Sequence, residues 1–217
     1  METDARPAAA AAGSGGPDEG NLARAELLTA LAAAKLTWAN QRDGALPHLD
    51  VAMRIAPAQE HGRSLLHALL EEPPFRAQAL GILLRSHRGL GEHLDVLALT
   101  EHRLAVAQTD DEKFEVFCDA MVLAEAYGED KPEALVYATR ALFLAPWHED
   151  VERELLRLAE ATDSLAEASQ TLDTIIKTRE GLTDNEEWPV RMRVSLGTVL
   201  LDKLDAERQG NQKKKEE

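Results

Sequence analysis

ALPHLDVAMRIAP, residues 45–57, and ALVYATRALFLAP, residues 134–146, are the two stretches on which the fold is read. Both open on Ala-Leu (Ala45-Leu46, Ala134-Leu135), carry an alanine at mid-length (Ala52, Ala141) and close on Ala-Pro (Ala56-Pro57, Ala145-Pro146). Apolar residues three or four apart belong to one face of a helix. Proline then ends that helix, because it lacks a donor and its ring clashes with the preceding turn. Two further matches follow in the same order. Arg63-Ser64-Leu65-Leu66 parallels Arg153-Glu154-Leu155-Leu156 across a small gap, and ILLRSHRGL from Ile82 parallels TIIKTREGL from Thr174. Three matches in one order indicate an internal duplication.

Outward from these stretches the helical pattern continues. Leu165, Ala168, Leu172, Ile175 and Ile176 share one face, as do Val151, Leu155, Leu158 and Thr162 before them. No alternating strand bounded by hairpin turns occurs. Breakers at Asp43-Gly44, Pro57, Pro73-Pro74, Gly89 to Gly91, Asp110-Asp111, Gly128, Pro146 and Gly181 cut the run into helices. The expected spans are 21–40, 43–56, 59–72, 75–89, 92–108, 111–128, 132–145, 149–162, 164–179 and 187–208. Short connections favour antiparallel neighbours. The expected fold is therefore all-α, an antiparallel helix-hairpin solenoid of about ten helices in one stack over 21–208. Residues 1–20 are expected to be a disordered lead-in, and 209–217 a charged disordered tail.

The residues resemble the tetratricopeptide repeat family. From Glu26 to Gln59, Ala32-Ala33 stands where that family has Leu-Gly, followed by Leu36, Ala45, Leu49, Ala52 and Pro57, with aliphatics replacing the aromatics. A second match spans Ala77 to Ala107 with Leu80, Leu83, Leu84, Gly91 and Val96; Leu196-Gly197 with Leu200 looks like the start of a further repeat. Small residues (Ala33, Ala52, Ala141, Gly197) allow close helix approach where leucine would collide. One feature departs from strict two-helix repeats: the two Ala-Pro helices are second and seventh in the expected order, an odd separation. Pro73-Pro74, splitting one helix or marking an inserted one, is the expected cause.

Composition narrows the function. The 217 residues carry 39 acids against 24 bases, a net charge of -15, of which -4 falls before Asp111 and -11 after Asp110. Nucleic-acid binding needs clustered Lys and Arg, and Lys213 to Lys215 are followed at once by Glu216 and Glu217. No nucleic acid is expected as a partner. The N-terminus lacks a secretory signal and no window reaches the length of a membrane span, so a cytoplasmic location with no membrane association is expected. One cysteine, Cys118, excludes an intramolecular disulfide and any Cys-built zinc site.

No catalytic constellation stands out, and no cofactor or metal is expected. His61 and His67 are six apart, as are His87 and His93, and there is no His-Glu-x-x-His. His67 with Glu71 reads as a solvated helix-face pair, and Gly89-Leu90-Gly91 as a helix-ending turn rather than a phosphate loop. Cys118, among Phe114, Phe117, Met121 and Val122, reads as a structural thiol. Trp147 and Trp188 read as packing at helix junctions. Acids at 110–112, 149–152 and 184–187 sit at helix starts, where the dipole favours them.

The resemblance implies a concave groove, lined by the first helix of each repeat, that binds a peptide or protein. The residues three and six before, and one and four after, each small or packing residue should face it. The expected partner-binding set is Trp38, Gln78, Arg85, Arg88, Arg153, Glu160 and Arg191. The arginines are suited to holding a carboxylate with paired hydrogen bonds. The last helix, 187–208, carries Val190, Val194, Leu196, Val199, Leu200, Leu201 and Leu204. It either caps the stack or meets a second copy as a homodimer. A non-enzymatic scaffold or adaptor is the leading expectation. The alternatives are a small helical regulator or enzyme using His87, His93 and His102, or a structural segment of a longer repeat array.

Overall fold

A computed structural model describes residues 19–179 and 187–216, the side chains of 39–40 and 202–216 excepted. The fold is all-α: α1 (Glu19–Thr37), α2 (Leu46–Ile55), α3 (Glu60–Leu70), α4 (Pro73–Leu90), α5 (His93–Ala98), α6 (Thr100–Val106), α7 (Asp110–Ala126), α8 (Lys131–Leu144), α9 (Glu149–Ala161), α10 (Leu165–Arg179) and α11 (Glu187–Glu216). A 3₁₀ turn, Ala39–Gly44, joins α1 to α2. There is no strand among the described residues. Contacts divide the chain between Leu90 and Gly91 into two compact units, where sequence reading expects one continuous stack.

In the first unit α1 packs on α2 and α3 on α4, while α1 also touches α3 and α2 touches α4. In the second unit α7 packs on α8, α8 on α9, α9 on α10 and α10 on α11, with α8 touching α10 and α9 touching α11. Its core joins Ala141, Leu142, Leu155, Leu158, Leu172 and Ile175 with Trp188, all fully buried. Each such leucine or isoleucine contributes roughly 1.5–3 kcal/mol by leaving water.

The two Ala-Leu to Ala-Pro stretches end alike. Ala56 ends α2 at φ −131°, ψ 77°, and Ala145 ends α8 at φ −134°, ψ 72°. Their N–H groups donate to Ala52 O at 2.8 Å and Ala141 O at 3.0 Å. The next helix restarts alike: Gln59 N–H donates to Ala56 O at 3.1 Å, and His148 N–H to Ala145 O at 3.2 Å. Because the turns match, the register does not slip. Leu66 and Leu69 occupy the places of Leu155 and Leu158, all four at most 2% exposed. The gap expected beside Arg63-Ser64-Leu65-Leu66 is therefore unnecessary; a constant offset of 89 residues carries α1–α3 onto α7–α9. Thr37 and Ala126 end the first helix of each hairpin at that same offset, and an exposed aromatic follows each, Trp38 and Tyr127.

Three expectations change. Pro73 and Pro74 neither split a helix nor insert one: they open α4, which packs back on α3. The helix expected over 92–108 breaks at Leu99 (φ −84°, ψ 3°) into α5 and α6. That break makes the Ala-Pro helices second and eighth, an even separation, and removes the anomaly. At the C-terminus α11 runs to Glu216, past residue 208 and through the tail expected to be disordered. The lead-in expected over 1–20 falls, through residue 18, outside the described residues.

Two glycines are required by geometry. Gly91, ending α4, has φ +72°, a left-handed conformation that costs other residues about 1–2 kcal/mol. At Gly128 a Cβ would lie 2.8 Å from Ala124 O, in the turn that returns α7 to α8. The start of α7 is fixed by a capping box: Thr109 Oγ1 accepts from Glu112 N–H at 3.1 Å, and Glu112 accepts from Thr109 N–H at 3.2 Å.

Candidate functional site

In the first unit a groove of about 430 Å³ lies along α2 and α4 and adjoins a second lobe of about 240 Å³. Its floor is apolar, with Leu46, Met53 and Ile82 buried. Its rim is charged: Arg54 NH2 and Arg85 NH2 converge on the Asp50 carboxylate at 2.6 and 2.9 Å. Two guanidiniums on one carboxylate leave an excess positive charge at the rim of an otherwise acidic chain. Both arginine side chains remain more than half exposed. Gly81, between Gln78 and Arg85 on the α4 wall, leaves open space where a Cβ would stand.

Gln78 and Arg85 of the expected set therefore share one groove. Arg88 is exposed one turn beyond Arg85 on α4. They do not stand on a first helix of a hairpin as expected, since α4 is the returning partner of α3. Trp38 lies instead at the end of α1, 63% exposed. Arg54 and Asp50, which complete the groove, escaped sequence reading because they lie on the duplicated Ala-Pro helix, read there only as a packing element. The signal available was Asp50-Arg54 at an i,i+4 spacing.

In the second unit Arg153 and Glu160 are both exposed on α9, two turns apart. Arg153 is engaged by Glu149 and Asp150 of its own helix. Arg191 is used internally. Its Nε donates to Glu152 Oε2 at 3.1 Å, across from α11 to α9, and Glu152 is 2% exposed at the side chain. The reading of Glu152 as one of the acids at a helix start does not include this pair. Arg157 is the better-placed arginine of α9: NH1 and NH2 grip Glu125 Oε1 and Oε2 of α7 at 2.9 and 2.5 Å. That grip lowers the Glu125 carboxyl below its ordinary value of 4.5 and raises the Arg157 guanidinium.

The remaining candidates sit as follows. Burial, with a smaller contribution from Glu115, pushes the Cys118 thiol up to about 11, which suppresses the nucleophilic thiolate. His93 stacks on Tyr127 at 3.7 Å, and His87 lies 6.3 Å from His67. No family model matches the chain, and no curated protein is significantly similar to it. Trp188 is fully buried in the core of the second unit, whereas Trp147 is 40% exposed beside His148. No helix of the described residues is long and apolar enough to cross a membrane.

Proposed function

We propose that this chain is a non-enzymatic helical-repeat scaffold or adaptor, tetratricopeptide-like in arrangement, that binds a peptide or protein partner. The observation that supports this most is the duplicated hairpin stack. Residues 45–59 and 134–148 repeat the same helix–turn–helix geometry 89 residues apart, and within each unit neighbouring helices pair. Stacks of this kind bury one face of every helix and present grooves between the others. The α2–α4 groove suits a carboxylate-bearing segment: the apolar floor takes a side chain, and Arg54 with Arg85 can bridge an incoming acid beside Asp50. We place the protein in the cytoplasm, with no nucleic-acid or membrane partner and no cofactor, in keeping with its acidity and its single cysteine.

The test is affinity capture from an extract of cells that make the protein, using the full chain beside its Arg54→Ala/Arg85→Ala variant. A partner retained by the first and lost by the second supports the reading. Capture of nothing above the level of an unrelated acidic protein removes it. Sedimentation of the purified chain decides whether the last helix meets a second copy.

A further inference from the structure

A cavity of about 500 Å³ opens at the turn between α2 and α3. Leu22 of α1, Ile55 and Pro57 at the turn and Leu90 at the end of α4 form its apolar walls. Two polar side chains join them, Glu26, which is exposed, and Gln59. The Gln59 amide is held in place, its Oε1 accepting from Thr29 Oγ1 at 2.5 Å. A volume of several hundred Å³, apolar walls and a few placed polar groups are the marks of a small-molecule site.

The α8–α9 turn has the same backbone but a different filling. Ala56 and Ala145 end their helices at matching dihedral angles, so Ala58 and Gln59 stand where Trp147 and His148 stand 89 residues on. At the α8–α9 turn His148 stacks on Phe114 at 4.3 Å, and Trp147 lies 6.1 Å from His148, which makes a row of three rings. Ala145 and Pro146 are buried there. At the α2–α3 turn Ala58 and Ala25 replace Trp147 and Phe114, and Ala56 and Pro57 are only half-buried. The walls change with the filling. Leu22 and Leu90, 40% and 43% exposed, stand where the second unit has the charged Asp111 and Arg179. The first turn thus lacks rings of its own and has apolar walls where the second has charges. Residues 1–18 contain no aromatic residue, so they cannot supply the missing ring.

We propose that this cavity binds a small planar aromatic molecule that carries an amine. The ring lies against Ala56, Pro57 and the Gln59 amide, the place that rings of the chain itself take at the α8–α9 turn, and its edge meets Leu22 and Leu90. The amine is directed to the Glu26 carboxylate. Removal of the ring from water supplies most of the affinity, and the exposed carboxylate adds a modest, salt-sensitive preference for a cation. The cavity shares only Pro57 with the α2–α4 groove and has the opposite charge preference.

The experiment titrates the full chain with tryptamine by calorimetry and ligand-observed NMR. Two relatives of the probe run beside it: indolepropionate, with the same ring and a carboxylate, and cyclohexylethylamine, with the ammonium and no aromatic ring. Tryptamine should bind about threefold more tightly than indolepropionate, and Glu26→Gln should remove that difference. Ala58→Trp gives the first turn the ring that the second already carries, and should weaken tryptamine about tenfold. Leu22→Asp/Leu90→Arg should weaken it by a similar factor by removing the walls, wherever the indole of the first variant turns. All three positions are exposed, so circular dichroism and melting should show each variant folded. Arg54→Ala/Arg85→Ala should bind as the parent does. The proposal is overturned if tryptamine does not bind, if both cavity variants bind it like the parent, or if cyclohexylethylamine binds equally well. Loss of tryptamine binding on Arg54→Ala/Arg85→Ala also overturns it, by moving the ligand to the groove.

Discussion

Removing Arg191 should destabilise the second unit more than neutralising the carboxylate it serves. Glu152 is 2% exposed at the side chain, and Arg191 31%. Glu152 Oε2 accepts from Arg191 Nε, whereas Oε1 is buried without a hydrogen bond. Arg191→Ala thus strands a buried carboxylate, a change that costs about 3–5 kcal/mol when the pair is fully enclosed. Because the arginine is one-third exposed, water can reach part of the vacated space, and about 2–3 kcal/mol is expected. Glu152→Gln removes the charge, keeps the shape and leaves a guanidinium that can turn to solvent, so about 1 kcal/mol is expected. The double variant should resemble Glu152→Gln, recovering most of the loss. In a chain of this size 1 kcal/mol shifts Tm by about 2–4 °C, which separates the single variants by several degrees. In a Trp38→Phe background, melting followed by tryptophan emission, to which Trp188, buried on α11, contributes, reports the second unit. Equal losses for the two single variants, or a double variant that adds them, would refute the reasoning.

Three other outcomes follow from the same structure. Ala52→Leu and Ala141→Leu each force a larger side chain into a fully buried helix contact at equivalent positions; each should cost about 1–3 kcal/mol in urea unfolding, by similar amounts in the two units. Alkylation of Cys118 by iodoacetamide should accelerate with a midpoint near pH 11, and a midpoint near that of an ordinary thiol, about 8.5, would contradict the burial. The lowered Glu125 carboxyl contributes stability that is fully present above its ordinary value of 4.5 and is lost as pH falls through the lower folded-state value. Arg157→Ala should remove that part of the acid sensitivity, and at neutral pH should cost no more than about 1 kcal/mol, since the pair is exposed enough to be screened.

The Ala-Leu to Ala-Pro stretches were readable because a helix end is a local event. Proline after Ala56 and Ala145 stops the ladder whatever surrounds it, and periodic leucines mark a buried face before any partner is known. For the same reason α8, α9 and α10 begin and end within a residue or so of their expected positions. The break at Leu99 had no such mark. HLDVLALTEHRLAV contains neither proline nor glycine, and the break falls where α5 and α6 both fold against α7. The extent of α11 beyond residue 208 likewise carries no breaker that spacing alone reveals, Gly210 notwithstanding.

The candidate sites divide along the same line. Sequence named Gln78, Arg85 and Trp38, because helical spacing predicts which residues share a face. It could not name Asp50 as the acid that gathers Arg54 and Arg85, or Glu152 as the partner of Arg191, because those contacts join helices far apart in the chain. By itself the sequence determined that the chain is all-helical and acidic, since helix periodicity and charge are properties of neighbours along the chain. Only the tertiary structure decided which arginines are spent on internal acids and which apolar side chains stay exposed, Leu27 and Trp38 in the first unit and Val190, Val194 and Leu201 in the second among them. Burial and ion pairing depend on what packs against a helix face: Leu31 of α1 is exposed, while Ala120, 89 residues on in α7, is fully buried.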